Sequence, residues 1–185
     1  MRHTISVLVE NEFGVLARVA GLFSGRGFNI ESLSVAETLD ATVSRLTLVT
    51  RGDDQVIEQI EKQLNKLVNV IRVTDFTNTE HVERELVLIK VAADERTRGE
   101  LVNIVDIFRA KIIDVSRQSY IVEITGTEDK IDGLVEMLRP YGVLEMARTG
   151  RVAMSRGTGA AALASEPAPR IDAEIAFDSG VSFSV

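Results

Sequence analysis

The chain contains no cysteine and no tryptophan, and only two of its 185 residues are histidine. The lack of cysteine excludes disulfides and thiolate metal sites. His3 and His81 belong to no metal-spaced cluster, and we expect both of them on the surface. Chemistry based on cysteine or on histidine clusters is therefore a poor explanation of what this chain does.

The sequence also lacks the patterns of two other large classes. The net charge is −7 and no segment carries a basic stripe, which disfavours nucleic-acid binding. The N-terminus enters a strand-like segment without the apolar run of a signal peptide, and no stretch is long enough to span a bilayer. We therefore expect a cytoplasmic protein that binds neither nucleic acid nor membrane.

Catalytic motifs are equally scarce. No segment resembles a nucleophile elbow or a phosphate-binding loop, and the glycine-rich run 155–159 lacks the lysine that such a loop needs. The acid pairs Glu10/Glu12 and Asp53/Asp54 are most simply solvated turn residues, because acid–base catalysis would also need a pocket and a partner group. The sequence predicts no catalytic residue and no metal site.

What the chain does contain is a repeat. Apolar residues make up 45% of the sequence, enough for a buried core, and two halves show the same order of apolar patterns. The first copy is predicted as strand 3–10, helix 14–25, strand 28–37, strand 42–51, helix 53–67 and strand 69–76. The second is predicted as strand 84–93, helix 97–109, strand 111–117, strand 119–126, helix 128–139 and strand 143–154.

This β-α-β-β-α-β order predicts an α+β fold of two tandem ferredoxin-like domains, at residues 1–77 and 82–155. Residues 156–185 are predicted to be a linker and a tail. Disorder is the simpler interpretation of the tail, and an added strand or docking peptide is the alternative.

We also expect a homodimer through the first copy, because edge strands are able to pair with another chain and because the helix-free sheet face looks partly apolar. That impression rests on Ile5, Val7, Val9, Leu46 and Leu48.

The best lead to function is the turn between the first strand and the first helix. Asn11 and Gly14 stand where free N–H groups of a helix start can hold a carboxylate. Gly14 lets a ligand approach the backbone, and Asn11 would bind the ligand's polar end. The residues alone also fit a structural role, in which Asn11 helps to cap the helix and Gly14 relaxes the connection. The matching turn of the second copy, residues 92–99, lacks the Asn-x-x-Gly spacing, so the copies are specialised differently.

Several runs resemble the regulatory small subunits of acetolactate synthase, also called acetohydroxyacid synthase, whose first domain is an ACT domain. The resemblance covers roughly residues 1–157. It rests on SVLVENEFGVL at 6–16, GLFSGRGFNIESL at 21–33, EQIEKQLNKL at 58–67, VEREL at 82–86, IIDV at 112–115 and EITGT at 123–127.

The resemblance implies a role in branched-chain amino-acid biosynthesis, toward valine and isoleucine. It implies a non-catalytic subunit with no cofactor of its own, which activates the catalytic large subunit and confers feedback inhibition, usually by valine. Thiamine diphosphate, magnesium and FAD are expected on the catalytic subunit. The signature that binds thiamine diphosphate, a Gly-Asp-Gly run with a downstream Asn-Asn pair, is absent from this chain.

By the same resemblance, effector-binding positions map onto six residues, with two weaker candidates. The site of the family lies between two ACT domains of a dimer, which allows Asn29 to act from the opposite chain. The six are Asn11, Gly14, Val15, Leu16, Asn29 and Ile30, and the weaker two are Ala36 and Gln59. The alternative function is a stand-alone ACT-type protein that senses an amino acid and acts on another enzyme or regulator.

Overall fold

The computed structural model describes residues 1–157, and its first half is a four-stranded sheet with two helices. The sheet has the order β2-β3-β1-β4, and each neighbouring pair of strands is antiparallel. The elements are β1 (Arg2–Glu10), α1 (Val15–Gly25), β2 (Ile30–Glu37), β3 (Val43–Arg51), α2 (Asp54–Leu64) and β4 (Val70–Asp75).

In helix α2, the capping residue and the spacing of the apolar residues explain both where the helix begins and which face is buried. Asp53 precedes the helix, and its side chain accepts a hydrogen bond from the backbone N–H of Val56 at 2.9 Å, which caps the first turn. Ile57, Ile60 and Leu64 recur on one face at helical spacing, and all three are buried. Together with α1, this face forms the core of the first domain against the sheet.

The sheet residues in that core correct one expectation. Ile5, Val7, Val9, Leu46 and Leu48 all belong to the cluster formed with α1 and α2, so they face the helices and not the open side. The alternate residues of β1 and β3 lie on the helix-free face, and they are mostly small and hydroxylated: Thr4, Ser6, Leu8, Thr47 and Val49.

The second half repeats the first. Its sheet has the order β6-β7-β5-β8, with its own helical core. The prediction of two tandem ferredoxin-like domains is therefore confirmed. The elements are β5 (His81–Ala92), α3 (Arg98–Ile107), β6 (Lys111–Val115), β7 (Ser119–Gly126), α4 (Glu128–Leu138), a 3₁₀ turn (Arg139–Tyr141), β8 (Val143–Arg148) and β9 (Val152–Ser155).

The strand predicted at 143–154 is in fact two strands. Gly150 has a φ of +81°, and there the regular pairing with β5 is interrupted. β9 then pairs with the start of β5, from His81↔Ser155 to Arg84↔Val152, and lies against β1. Ala153 of β9 is buried, so the second domain covers part of the helix-free face of the first.

Charged side chains join the two domains. Arg2 and Arg151 both pair with Glu128, the first residue of α4. Arg2 also pairs with Glu31 of β2 at 2.6 Å, and the backbone N–H of Arg151 donates to the hydroxyl of Ser32 at 3.3 Å. The side chain of Arg151 is only 11% exposed, whereas those of Arg2 and Glu128 are about a third exposed.

The expectation that both histidines lie on the surface is wrong for one of them. His3 is buried and not on the surface, since its Nδ1 lies 2.6 Å from the hydroxyl of Thr77 and its Nε2 lies 3.3 Å from the carbonyl oxygen of Gly52. The predictions about the tail, residues 158–185, lie outside the described residues. Among residues 1–157, no helix combines the length and the apolar character needed to cross a membrane.

Candidate functional site

The turn after β1 is tied to the β2–β3 hairpin by Asn11. Its backbone N–H donates to the carbonyl of Thr42 at 2.7 Å, and its side-chain Nδ2 donates to the carbonyl of Ala41 at 2.9 Å and to the carboxylate of Glu37 at 3.1 Å. Asn11 therefore holds the hairpin and does not cap α1. With both Nδ2 hydrogens engaged, Oδ1 is the side-chain group able to accept a ligand hydrogen bond.

Gly14 is the N-cap residue of α1, with φ +82° and ψ −4°. A Cβ built at Gly14 would meet nothing within 4 Å, so the glycine is required by its backbone conformation and not by lack of space. The first turn of α1 has no acidic residue and no side-chain cap. No side chain of this turn therefore occupies the helix N-terminus, the end of a helix that favours an anion.

Val15 and Leu16 contribute to this site in different ways. The side chain of Val15 is buried in the core, and its backbone N–H donates a long hydrogen bond to the carbonyl of Glu12 at 3.4 Å. Leu16 is 45% exposed and offers an aliphatic side chain beside the helix start. The turn thus combines the N–H groups of a helix start with an apolar surface.

Asn29 and Ile30 lie at the other end of the sheet. The carbonyl of Asn29 accepts a 2.7 Å hydrogen bond from the hydroxyl of Thr50, and Ile30 pairs with Thr50, which in turn pairs with His3. From His3 to Asn11, at about 3.3 Å per residue, the strand spans roughly 25 Å. Asn11 and Asn29 flank the two ends of α1, and one chain cannot bring both to the same small molecule.

The two weaker candidates lie away from the turn itself. Ala36 is exposed near the end of β2 and lines a groove of about 420 Å³ that also includes Val152 and Met154 of β9. Ala36 precedes Glu37, the partner of Asn11, so it lies at the same end of the sheet as Asn11. Gln59 is exposed on α2 between two buried isoleucines.

A residue that sequence reasoning missed lies beside the turn. Asn69, immediately before β4, is 8% exposed, and its Nδ2 donates to Glu10 at 2.7 Å and to Glu12 at 3.1 Å. Its Oδ1 accepts from Arg18 of α1, and its backbone carbonyl accepts from the N–H of Glu10 at 2.9 Å. A lone asparagine before a strand carries no local signal of these contacts, because its partners lie more than fifty residues away.

The corresponding turn of the second domain is closed by its own carboxylate. Asp94 accepts from the N–H of Thr97 at 2.8 Å, from the hydroxyl of Thr97 at 2.9 Å and from the N–H of Arg96 at 3.0 Å. The hydrogen bonds from Thr97, first of all the one from its backbone, lower the pKa of Asp94. The second turn therefore supplies its own anion, whereas the first does not.

Within residues 1–157, no group of three or more His, Cys, Asp or Glu side chains is arranged to hold a metal ion. His81 bonds the carbonyl of Thr79 through Nδ1 at 2.8 Å and stacks on Phe76. Neither histidine is placed beside the Asn11–Gly14 turn. The chemistry that the turn supports is the binding of a small anion with an apolar part.

Two ferredoxin-like domains, the first with an open helix start after β1, define a tandem protein of the ACT type. A family model for an AHAS small subunit-like ACT domain matches residues 5–72, and a model for the small subunit of acetolactate synthase matches residues 84–157. The chain belongs to the family of acetolactate synthase small subunits, which confirms the resemblance seen in the sequence.

Individual small subunits from other organisms are also similar to this chain over most of their length. The chain is 58% identical to a probable acetolactate synthase small subunit of Archaeoglobus fulgidus, over 85% of this chain and 98% of that protein. It is 52% identical to the acetolactate synthase small subunit of Mycolicibacterium smegmatis, over 84% and 91%. The crystal structure of the acetolactate synthase small subunit from Thermotoga maritima matches 86% of this chain and 99% of that chain, at 48% identity and a TM-score of 0.78.

Proposed function

We propose that this chain is the non-catalytic regulatory subunit of acetolactate synthase. In this role it binds a catalytic large subunit, activates it and makes it sensitive to feedback inhibition by valine. The names of the relatives support a small subunit that works with a larger one. Thiamine diphosphate, magnesium and FAD belong to the catalytic subunit in this proposal, and this chain needs none of them.

The start of α1, which has no acidic residue and no side-chain cap, is the observation that supports regulation by valine. The valine carboxylate would lie on the N–H groups that follow Gly14, where the helix end is positive and no acid competes. Leu16 would contact the aliphatic side chain of valine, and Asn11 Oδ1 would accept from its ammonium group. Val15 would contribute only its backbone N–H, which also donates to the carbonyl of Glu12 at 3.4 Å, because its side chain is buried.

A homodimer completes the site in this proposal. Because Asn11 and Asn29 flank opposite ends of α1, a second chain with its α1 antiparallel to the first would bring Asn29 and Ile30 of one copy to Asn11 of the other. β2 is an edge strand with half-buried residues, so it is able to take part in such pairing. The apolar sheet face first invoked for dimerisation plays no part, because those residues pack on the helices.

Reconstitution tests the proposal. The purified chain is mixed with the large subunit of the same organism, and acetolactate formation from pyruvate is measured with thiamine diphosphate, magnesium and FAD, with and without valine. We expect no activity from this chain alone, a higher rate for the complex than for the large subunit alone, and inhibition by valine only in the complex. Failure to bind or activate the large subunit would favour a stand-alone amino-acid sensor.

A further inference from the structure

Asn69 holds three charged groups at the edge of the candidate site. Its one amide donates to the carboxylates of Glu10 and Glu12 and accepts from the guanidinium of Arg18. The side chain of Asn69 is almost buried, whereas Glu10, Glu12 and Arg18 are exposed. Asn69 bonds both acids, which flank Asn11 in the turn.

The position of these acids is a problem for an anion site. Glu12 lies only two residues before Gly14, and the N–H groups at the start of α1 attract a carboxylate. If Glu12 turned inward, it would occupy the donors that a ligand carboxylate needs. Asn69, whose Oδ1 is itself bonded by Arg18, instead holds the carboxylate on the β4 side.

The second domain shows what happens without this amide. The carbonyl of Asn69 accepts from the N–H of Glu10, and at the equivalent place the carbonyl of Gly142 accepts from the N–H of Ala92, both at 2.9 Å. Gly142 has no side chain. Asp94, which like Glu12 stands two residues after the strand, bonds the backbone N–H groups of its own turn instead.

We propose that Asn69 is a positioning residue of the effector site. It draws Glu10 and Glu12 away from the start of α1 and so keeps the helix N–H groups free for the carboxylate of the effector. The inference rests on the proposed function of this turn. It assigns Asn69 no contact with the ligand, only control over the acid that competes with it.

The test compares valine inhibition curves of the reconstituted complex. Asn69→Ala should raise the valine concentration for half-inhibition by about tenfold, since the released Glu12 occupies the helix end. Asn69→Asp should raise this concentration at least as much as Asn69→Ala does. The aspartate keeps an acceptor for Arg18, but it repels both glutamates. Adding Glu12→Gln to Asn69→Ala should restore most of the sensitivity, because the amide is a far weaker competitor for the donors.

Asn65→Ala is the matched control. The side chain of Asn65 donates to the carbonyl of Glu61 at 2.9 Å on α2, so this variant loses a comparable hydrogen bond without a contact to the turn. It should leave the inhibition curve unchanged, and all variants should activate the large subunit normally without valine.

Two results would overturn the inference while the proposed function stands: an Asn69→Ala complex as sensitive as the wild type, or a loss that Glu12→Gln does not restore. A wild-type complex without any valine response would instead show that the proposed function itself is wrong.

Discussion

The two domains share one fold but differ in how each fills its first turn. Both sheets have the same strand order, and both first strands have an irregularity at the same place, between Leu8 and Val9 and between Lys90 and Val91. Yet Asp94 closes the turn of the second domain, while Gly14 leaves that of the first open. The fold sets the place of an anion site, and a few turn residues decide whether an internal or an external anion fills it.

The largest expected effect comes from closing the open turn. Gly14→Asp places a carboxylate at the N-cap of α1, where aspartate tolerates a positive φ better than most residues and where no neighbour obstructs it. The helix-end attraction is worth about 0.3–2 kcal/mol, and repulsion between like charges and the added bulk increase the loss. We expect valine sensitivity to fall about a hundredfold or more, at about 1.4 kcal/mol per tenfold.

Two controls separate charge from backbone effects in the same inhibition assay. Gly14→Asn accepts the same backbone conformation without the charge and should lose clearly less sensitivity than Gly14→Asp. Gly99→Asp adds the same charge to the first turn of α3, where a Cβ also meets nothing, and should leave inhibition unchanged. Normal inhibition by a folded Gly14→Asp complex would mean that the effector binds elsewhere.

The junction between the domains should show the next largest effect. Glu128→Gln weakens the ion pairs to Arg2 and Arg151, and Arg151 is mostly buried. Because the guanidinium would keep a neutral acceptor but lose a charge partner, we expect a loss of about 1–3 kcal/mol in the free energy of unfolding, measured in urea.

Glu136→Gln is the comparison for this prediction. Glu136 pairs with Arg139 at 3.3 Å with both side chains about two-thirds exposed, and removing such a pair changes stability by roughly 0–0.5 kcal/mol. Equal losses from the two variants would show that the junction contributes no more than an ordinary surface pair.

A smaller effect should appear in the closed turn of the second domain. The pKa of Asp94 lies below its ordinary value of 3.8 because the folded turn hydrogen-bonds the carboxylate. A depressed folded pKa means that this stabilisation is present above pH 3.8 and is lost as the pH falls through the folded pKa. Asp94→Asn should therefore be less stable than the wild type at neutral pH, and the difference should shrink in strongly acidic solution. Urea titrations from pH 7 to pH 3 check this, and a gap that stays constant would contradict it.

Local patterns were sufficient to predict most elements. The apolar spacing of α2 and the strand alternation of β7 depend on neighbours in the chain, and the predicted spans agree with the structure within a few residues. The break between β8 and β9 was missed because it depends on tertiary packing. A Cβ at Gly150 would lie 2.6 Å from the hydroxyl of Ser32, in the other domain, and no local pattern reports that contact.

In the candidate site, too, the residues set by local sequence were predicted and those set by distant contacts were missed. Asn11 and Gly14 stand out because they lie in one short turn. The partners of Asn69 and the burial of His3 arise from contacts between residues that lie far apart in the chain. Sequence pattern indicates which groups are available near a turn. It does not indicate which distant side chain will hold a given carboxylate.

The smallest expected effect concerns the end of the chain. Ending it at Gly157 removes residues 158–185 and should change neither stability, activation nor valine inhibition, because the Archaeoglobus fulgidus relative is matched over 98% of its length by only 85% of this chain. Ending it at Arg151 also removes β9, and with it buried Ala153 and the pairing to the start of β5. That longer deletion uncovers part of the helix-free face of the first sheet, so it should lower the midpoint of urea unfolding clearly. If the shorter deletion alone abolishes activation, residues 158–185 bind the catalytic subunit, and the disordered tail is the wrong interpretation.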